Sequence, residues 1–196
     1  MKLILVRHGE TEWNATGRVQ GEADIPLNRK GLEQAKKVSA RLKTEPIDII
    51  YSSSMKRARQ TTEAIMKFHK VPIRYSNLLR ERKFGKLGGM PNEEYRRIRE
   101  KEGIEFHLFR PPGGENYVDL QKRVKKFLAM IRKEHGSQTV VVVSHGGVIR
   151  TIITILTKRP LANVHEIEQH NASINVIELR SGSPPKIHYL NSTEHL

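Results

Sequence analysis

The chain has no cysteine, which excludes disulfide staples, thiolate nucleophiles and zinc sites built on cysteine. It also lacks any apolar run near the roughly 20 residues that span a bilayer. Its first apolar stretch, Leu3-Ile4-Leu5-Val6, is too short for the hydrophobic part of a secretory leader. The expected location is therefore the cytoplasm, with no membrane partner. No GxSxG occurs, which removes the serine-hydrolase reading that Ser144 beside His145 invites. No GxxxxGKS or GxxxxGKT occurs, so a nucleoside triphosphate P-loop has no support. Aspartates do not cluster, and no metal or other cofactor is expected. Internal repeats, low-complexity tracts and flexible linkers are missing as well.

What remains is a chain of 196 residues, expected to form one domain over 1–196 that buries a core without staples. Lysine and arginine number 35 against 21 acidic residues, a net charge of +14. Such a balance is compatible with nucleic-acid binding. The cations are dispersed, however, and many stand with glutamates at helical spacing, as in Glu93-Glu94-Tyr95-Arg96-Arg97-Ile98-Arg99-Glu100-Lys101. That pattern is a solvated helix face. No nucleic-acid partner is expected, and the positive field suits a small phosphorylated substrate instead.

Strand and helix signals alternate. Residues 2–6 read as a strand buried on both faces. Asn28 caps the next helix, with Leu27 and Leu32 placed for a hydrophobic staple and Ala35, Val38 and Leu42 continuing the apolar stripe. A strand at 47–51 ends in Ser52-Ser53-Ser54, a helix follows over 55–68, and a short strand over 72–75. Residues 79–112 turn polar and glycine-rich around one charged helix and read as an insertion. Asn116 then caps a long helix striped by Tyr117, Leu120, Val124, Phe127, Leu128 and Ile131, with Asp119 at the capping-box position and Gly136 as the stop. Residues 139–143 are the strongest strand signal. They run into Ser144-His145-Gly146-Gly147 and a helix over 148–157, and two closing strands follow at 173–179 and 186–190. Strands separated by helices imply an α/β fold, a three-layer sandwich with a mostly parallel sheet and a helical insertion over its active site.

In such sheets, ligands sit beyond the carboxyl ends of the strands. His8 follows the first strand, Ser52-Ser53 the second and His145 the valine-rich one. Arg7 adjoins His8, Arg57 lies in the first turn after the second strand, and Gly146-Gly147 offers backbone N–H groups at a helix start. Guanidinium forks and helix-start N–H groups suit phosphate oxygens. Neighbouring cations keep an imidazole neutral, so the set reads as a phosphoryl site with a histidine nucleophile and arginine in the role that magnesium often plays. Arg59 reads as a solvated charge. His165 and His170, five apart, match no strong metal-ligand spacing and read as surface or capping residues.

The ordered segments RHGETEWN, SSSMKRARQT and SHGG resemble the histidine phosphatase superfamily, also called the phosphoglycerate mutase-like family, from Lys2 almost to the last residue. That resemblance implies that His8 is the nucleophile that becomes phosphohistidine, with Arg7, Arg57 and His145 completing the charged pocket. It implies that Asn14 and Gln20-Gly21 contact substrate or phosphate, and that Glu81 is the acid that protonates the leaving oxygen and later activates water. The family pattern FGxWEG is replaced here by Phe84-Gly85-Lys86-Leu87-Gly88-Gly89, a departure that bears on selectivity. The short chain, the segment Pro111-Pro112-Gly113-Gly114-Glu115-Asn116 and the tail 190–196 resemble the phosphatase branch. The expected function is a metal-independent phosphomonoesterase for small phosphorylated metabolites. Phosphoglycerate mutase-type transfer is one alternative, and a non-catalytic phosphate- or nucleic-acid-binding module is another. The sequence leaves the assembly open between a monomer and a homodimer, and it names no particular substrate.

Overall fold

Lys2–Arg7 forms strand β1, whose four central residues are fully buried. Its unbroken aliphatic run fits its position, because it lies inside a sheet covered on both faces. In this computed structural model, which describes residues 1–196, six strands form a single sheet. The others are β2 (Ile49–Ser53), β3 (Ile73–Ser76), β4 (Thr139–Ser144), β5 (Ile174–Glu178) and β6 (Lys186–Ser192), in the order β3-β2-β4-β1-β5-β6. β3 pairs parallel with β2, β2 with β4 and β4 with β1, whereas β5 and β6 join antiparallel on the far side of β1. The mostly parallel expectation thus holds, with an antiparallel edge.

Six α-helices accompany the sheet: α1 (Glu12–Ala15), α2 (Arg29–Leu42), α3 (Lys56–Ile65), α4 (Asn92–Lys101), α5 (Tyr117–Glu134) and α6 (Gly146–Leu156). Alternation along the strands sends side chains to opposite layers. Leu3, Leu5, Val140 and Val142 pack with Leu120, Val124, Phe127 and Ile131 of α5 and with Val148, Ile149 and Ile152 of α6. Ile4, Val6, Val141 and Val143 face the other way, onto Val38 and Leu42 of α2 and Ala58 and Ile65 of α3. None of the helices is long and apolar enough to cross a membrane.

The caps behave as their residues require. Asn28 accepts a hydrogen bond from Gly31 N at 2.8 Å, and Asn116 and Asp119 bond reciprocally in a capping box. Two local expectations fail. Leu32 is 43% exposed, so it does not close a staple on buried Leu27. Gly136 does not take the left-handed stop after α5. His135 ends that helix at φ −131° and is held by Tyr51 and Gln138, so a polar contact does what backbone geometry was expected to do. Boundaries also shift, with α3 ending at Ile65 rather than 68 and α6 beginning two residues early, at Gly146.

Between β3 and α5 the chain carries 3-10 turns at Asn77–Leu79 and Gly85–Leu87 and the single charged helix α4. Backbone hydrogen bonds Val19 N to Met90 O, Gly89 N to Val19 O and Asn92 N to Gly17 O tie this segment to the loop after α1. Buried Arg82 anchors it from within, donating to Glu115 O and Tyr95 Oη and lying 4.1 Å from the Phe84 ring centroid. The insertion is thereby fastened beside the strand ends that carry His8 and His145.

Candidate active site

Because β2, β4 and β1 are adjacent, their carboxyl ends bring Ser53, His145 and His8 together. The two imidazoles stand edge to face with centroids 5.1 Å apart. His8 is 3% exposed, and His145 and Arg57 are fully buried. Arg57 Nε lies 3.2 Å from His8 Nε2 and 3.2 Å from His145 Nδ1. An arginine Nε–H only donates, so both of these ring nitrogens present lone pairs to it.

The remaining ring nitrogens agree with that assignment. His8 Nδ1 is 2.7 Å from the carbonyl of Gly9, to which it can only donate, leaving Nε2 unprotonated and inward-facing. His145 Nε2 lies 2.8 Å from Ser53 Oγ and donates to it. Arg57 is itself clamped: its terminal nitrogens donate to Ala23 O at 2.7 Å and Gly21 O at 2.9 Å. Gly21 supplies that carbonyl from a left-handed turn at φ 51°, a conformation that favours glycine.

The electrostatics follow from this packing. Burial first, then the guanidiniums of Arg57 and Arg7, holds His8 well below the usual imidazole range. Burial, Arg57, His8 and Arg7 do the same to His145. Both arginines are lowered to about 10 by burial, and so remain cations at neutral pH. Arg7 donates to Gln169 O, but its Nε–H is buried without any partner. An unsatisfied buried donor costs about 1–3 kcal/mol unless a ligand meets it. Here it lies 3.6 Å from where a side chain on Gly146 would begin, at the mouth of α6.

Glu81 reaches the same helix start. Its carboxylate accepts from Gly147 N at 3.1 Å and from Arg82 N at 2.9 Å. Its backbone carbonyl is held by Arg123, which also grips Leu78 O and the Glu115 carboxylate. The glycine makes room for this contact, since a Cβ at residue 147 would fall 2.4 Å from Glu81 Oε1 and displace the carboxylate.

The structure therefore brings Arg7, His8, Arg57, Glu81, His145 and Gly146 into one cluster. Gln20 and Gly21 line an adjoining cleft of about 350 Å³. Asn14 is close but committed: its side-chain oxygen accepts from Thr11 N, Thr11 Oγ1 and Asn171 Nδ2, leaving only its amide nitrogen for a ligand. Arg59 stacks on Tyr75 outside the pocket, and His165 and His170 are bonded elsewhere. No three His, Cys, Asp or Glu side chains converge as a metal site. Sequence reasoning missed three supporting residues. Ser53 reads in the sequence only as part of a strand end, and Arg123 and Asn171, which also bonds His8 O, carry no signal there.

Comparison with known proteins agrees with the geometry. The family model described as histidine phosphatase superfamily (branch 1) matches residues 3–193. The metal-independent phosphoserine phosphatase of Arabidopsis thaliana is 38% identical over 190 residues, covering 91% of this chain and 76% of that protein. Phosphoglycerate mutase-like protein 4 of the same plant is 36% identical over 203 residues, covering 100% of this chain and 86% of that protein. Among solved structures, a mutant phosphoserine phosphatase from Entamoeba histolytica in complex with phosphoserine superposes with a TM-score of 0.86. It is 33% identical, and the match covers 100% of this chain and 98% of that one.

Proposed function

We infer the reaction from one premise, that the chain belongs to the histidine phosphatase superfamily. It is a phosphoric monoester hydrolase. The observation that carries the assignment of roles is the unprotonated Nε2 of His8 beside Arg57, with the unpartnered Nε–H of Arg7 at the start of α6. His8 Nε2 attacks phosphorus, a nitrogen–phosphorus bond forms, and the ester oxygen leaves with a proton from Glu81. Glu81 then takes a proton from water, whose oxygen displaces the imidazole and releases inorganic phosphate. Arg7, Arg57, His145 and the backbone N–H of Gly146 stabilise the equatorial oxygens as charge shifts onto them. Asn14, Gln20 and Gly21 bound the space in which a small phosphorylated metabolite lies.

Turnover of p-nitrophenyl phosphate in excess EDTA tests this reading. It predicts unimpaired phosphate release with chelator and none from His8→Ala. Activity abolished by EDTA, or retained in His8→Ala, overturns it. Phosphoglycerate mutase-type transfer is the second reading, favoured by the likeness to the mutase-like relative. Phosphate release measured beside interconversion of 2- and 3-phosphoglycerate, with a bisphosphorylated primer, decides between the two.

A further inference from the structure

A second cavity, of about 1010 Å³, opens at the opposite end of the sheet from the histidines. Met1 and Gly136, which line it, precede β1 and β4, whereas His8 and His145 follow those strands. The length of β1 separates the two ends by roughly 20 Å. The volume is at the upper end for small-molecule sites. The buried part of the lining is aliphatic: Met1, Leu156 and Leu179 belong to the core, and Ile155 and Ile187 lie more exposed beside them. Residues 181–185, in the loop between β5 and β6, form another wall. No acidic residue lines the cavity, but three cations do: Arg132, Lys158 and Arg180. Arg180, 67% exposed, pairs with Glu178, whereas Arg132 and Lys158 form no ion pair.

We propose that this cavity binds an aliphatic carboxylate of medium chain length, at a site separate from the histidines. The alkyl chain covers the apolar floor, and the carboxylate meets Arg132 and Lys158 in the positive field that Arg180 extends. Helix C-termini favour cations, which accounts for Arg132 in the last turn of α5 and Lys158 just past α6. It does not account for the open aliphatic surface beside them. Lys158 also stands at φ 56°, where glycine or asparagine would be at ease, so its charge sits there against the preference of the backbone. Other anions fit less well. No aromatic side chain lines the cavity for a nucleotide base to stack on. An acidic peptide would bring backbone N–H and C=O groups to a hydrocarbon floor, at a desolvation cost that an alkyl chain does not carry.

Calorimetric titration of the full chain with octanoate and decanoate, each kept below its micelle-forming concentration, tests the proposal. Decanoate is expected to bind about tenfold more tightly than octanoate, as burial of two further methylenes implies. Decyltrimethylammonium, with the same chain and the opposite charge, is expected to bind at least about tenfold more weakly than decanoate. Arg132→Gln combined with Lys158→Gly weakens decanoate by about tenfold, the scale of two exposed ion pairs. The glycine suits the left-handed backbone, and unchanged turnover of p-nitrophenyl phosphate in the double variant shows that the fold is intact. Decanoate shifts the methyl resonances of Ile155 and Ile187, and does so equally in His8→Ala. Absence of decanoate binding overturns the inference, as does affinity indifferent to chain length, to head-group charge or to the double variant. Binding that leaves the Ile155 and Ile187 methyls unmoved overturns it as well. Adsorption to phosphatidylglycerol vesicles without binding of free decanoate also overturns it, in favour of a membrane surface.

Discussion

His8 suits the proposed role of nucleophile because its protons are accounted for. Gly9 O holds the Nδ1 proton, and the Arg57 and Arg7 charges, together with burial, oppose a second proton on Nε2. Lowering pH through 6.5 therefore leaves the ring unprotonated, where an ordinary imidazole would be half charged. We predict that kcat/KM keeps its value across that point, and an acid limb centred at or above 6.5 in the pH–rate profile contradicts it. Arg57→Lys removes the fork that spans Gly21 O, Ala23 O and both histidines, which a single ammonium does not reproduce. The expected loss is about 10²–10³ in kcat, the scale for one donor at a developing oxyanion, and a steady-state assay with the variant at a confirmed native fold reads it. Arg7, His8, Arg57 and His145 were legible in the sequence because each sits in or beside a strand end, within a local motif. Ser53, Arg123 and Asn171 were not, because the hydrogen bonds that tie them to His145, Glu81 and His8 run to residues 42 to 163 positions away, which no local pattern encodes.

At the level of elements, the start of α6 holds Glu81, the proposed acid. Gly147 N binds the Glu81 carboxylate, so the helix dipole and the backbone N–H hold that group over the pocket. Gly147→Ala puts a methyl 2.4 Å from Glu81 Oε1 and must push the carboxylate away. Complete loss of acid–base help is worth about 10²–10⁴ in rate, and Gly147→Ala is expected to forfeit much of it. Glu81→Gln sets the full effect for comparison, and wild-type kcat in Gly147→Ala contradicts the assignment. The close approach of α2 is of the same kind, since a side chain on Gly31 would meet the Glu10 carbonyl at 2.0 Å, so this glycine lets the loop after His8 lie against the helix. Strand and helix identities were readable from aliphatic runs and caps such as Asn28 and Asn116. The misses at Leu32 and Gly136 arose where partners decided: Leu32 stays 43% exposed, and Tyr51 and Gln138 capture His135 before a glycine turn is needed.

For the molecule as a whole, the same buried histidines link the site to stability. Their folded-state values lie below the unfolded 6.5, so beneath that pH the unfolded chain binds more protons than the folded one. The stabilisation is present above 6.5 and is lost progressively as pH falls below it. Urea midpoints are expected to hold steady from pH 8 to 7 and drop between pH 6 and 5; midpoints that rise toward pH 5 contradict the neutral cage. The mostly parallel sheet makes this possible, because it delivers three strand ends to one edge and leaves the antiparallel β5 and β6 to close the other side. The most direct test of the account is the chemical state of His8 during turnover. Reaction with a phosphomonoester, quenched in base and mapped by peptide, should place one acid-labile phosphoryl group on His8 and none on His145. Turnover with no such label at early times, or a label that persists in His8→Ala, would contradict it.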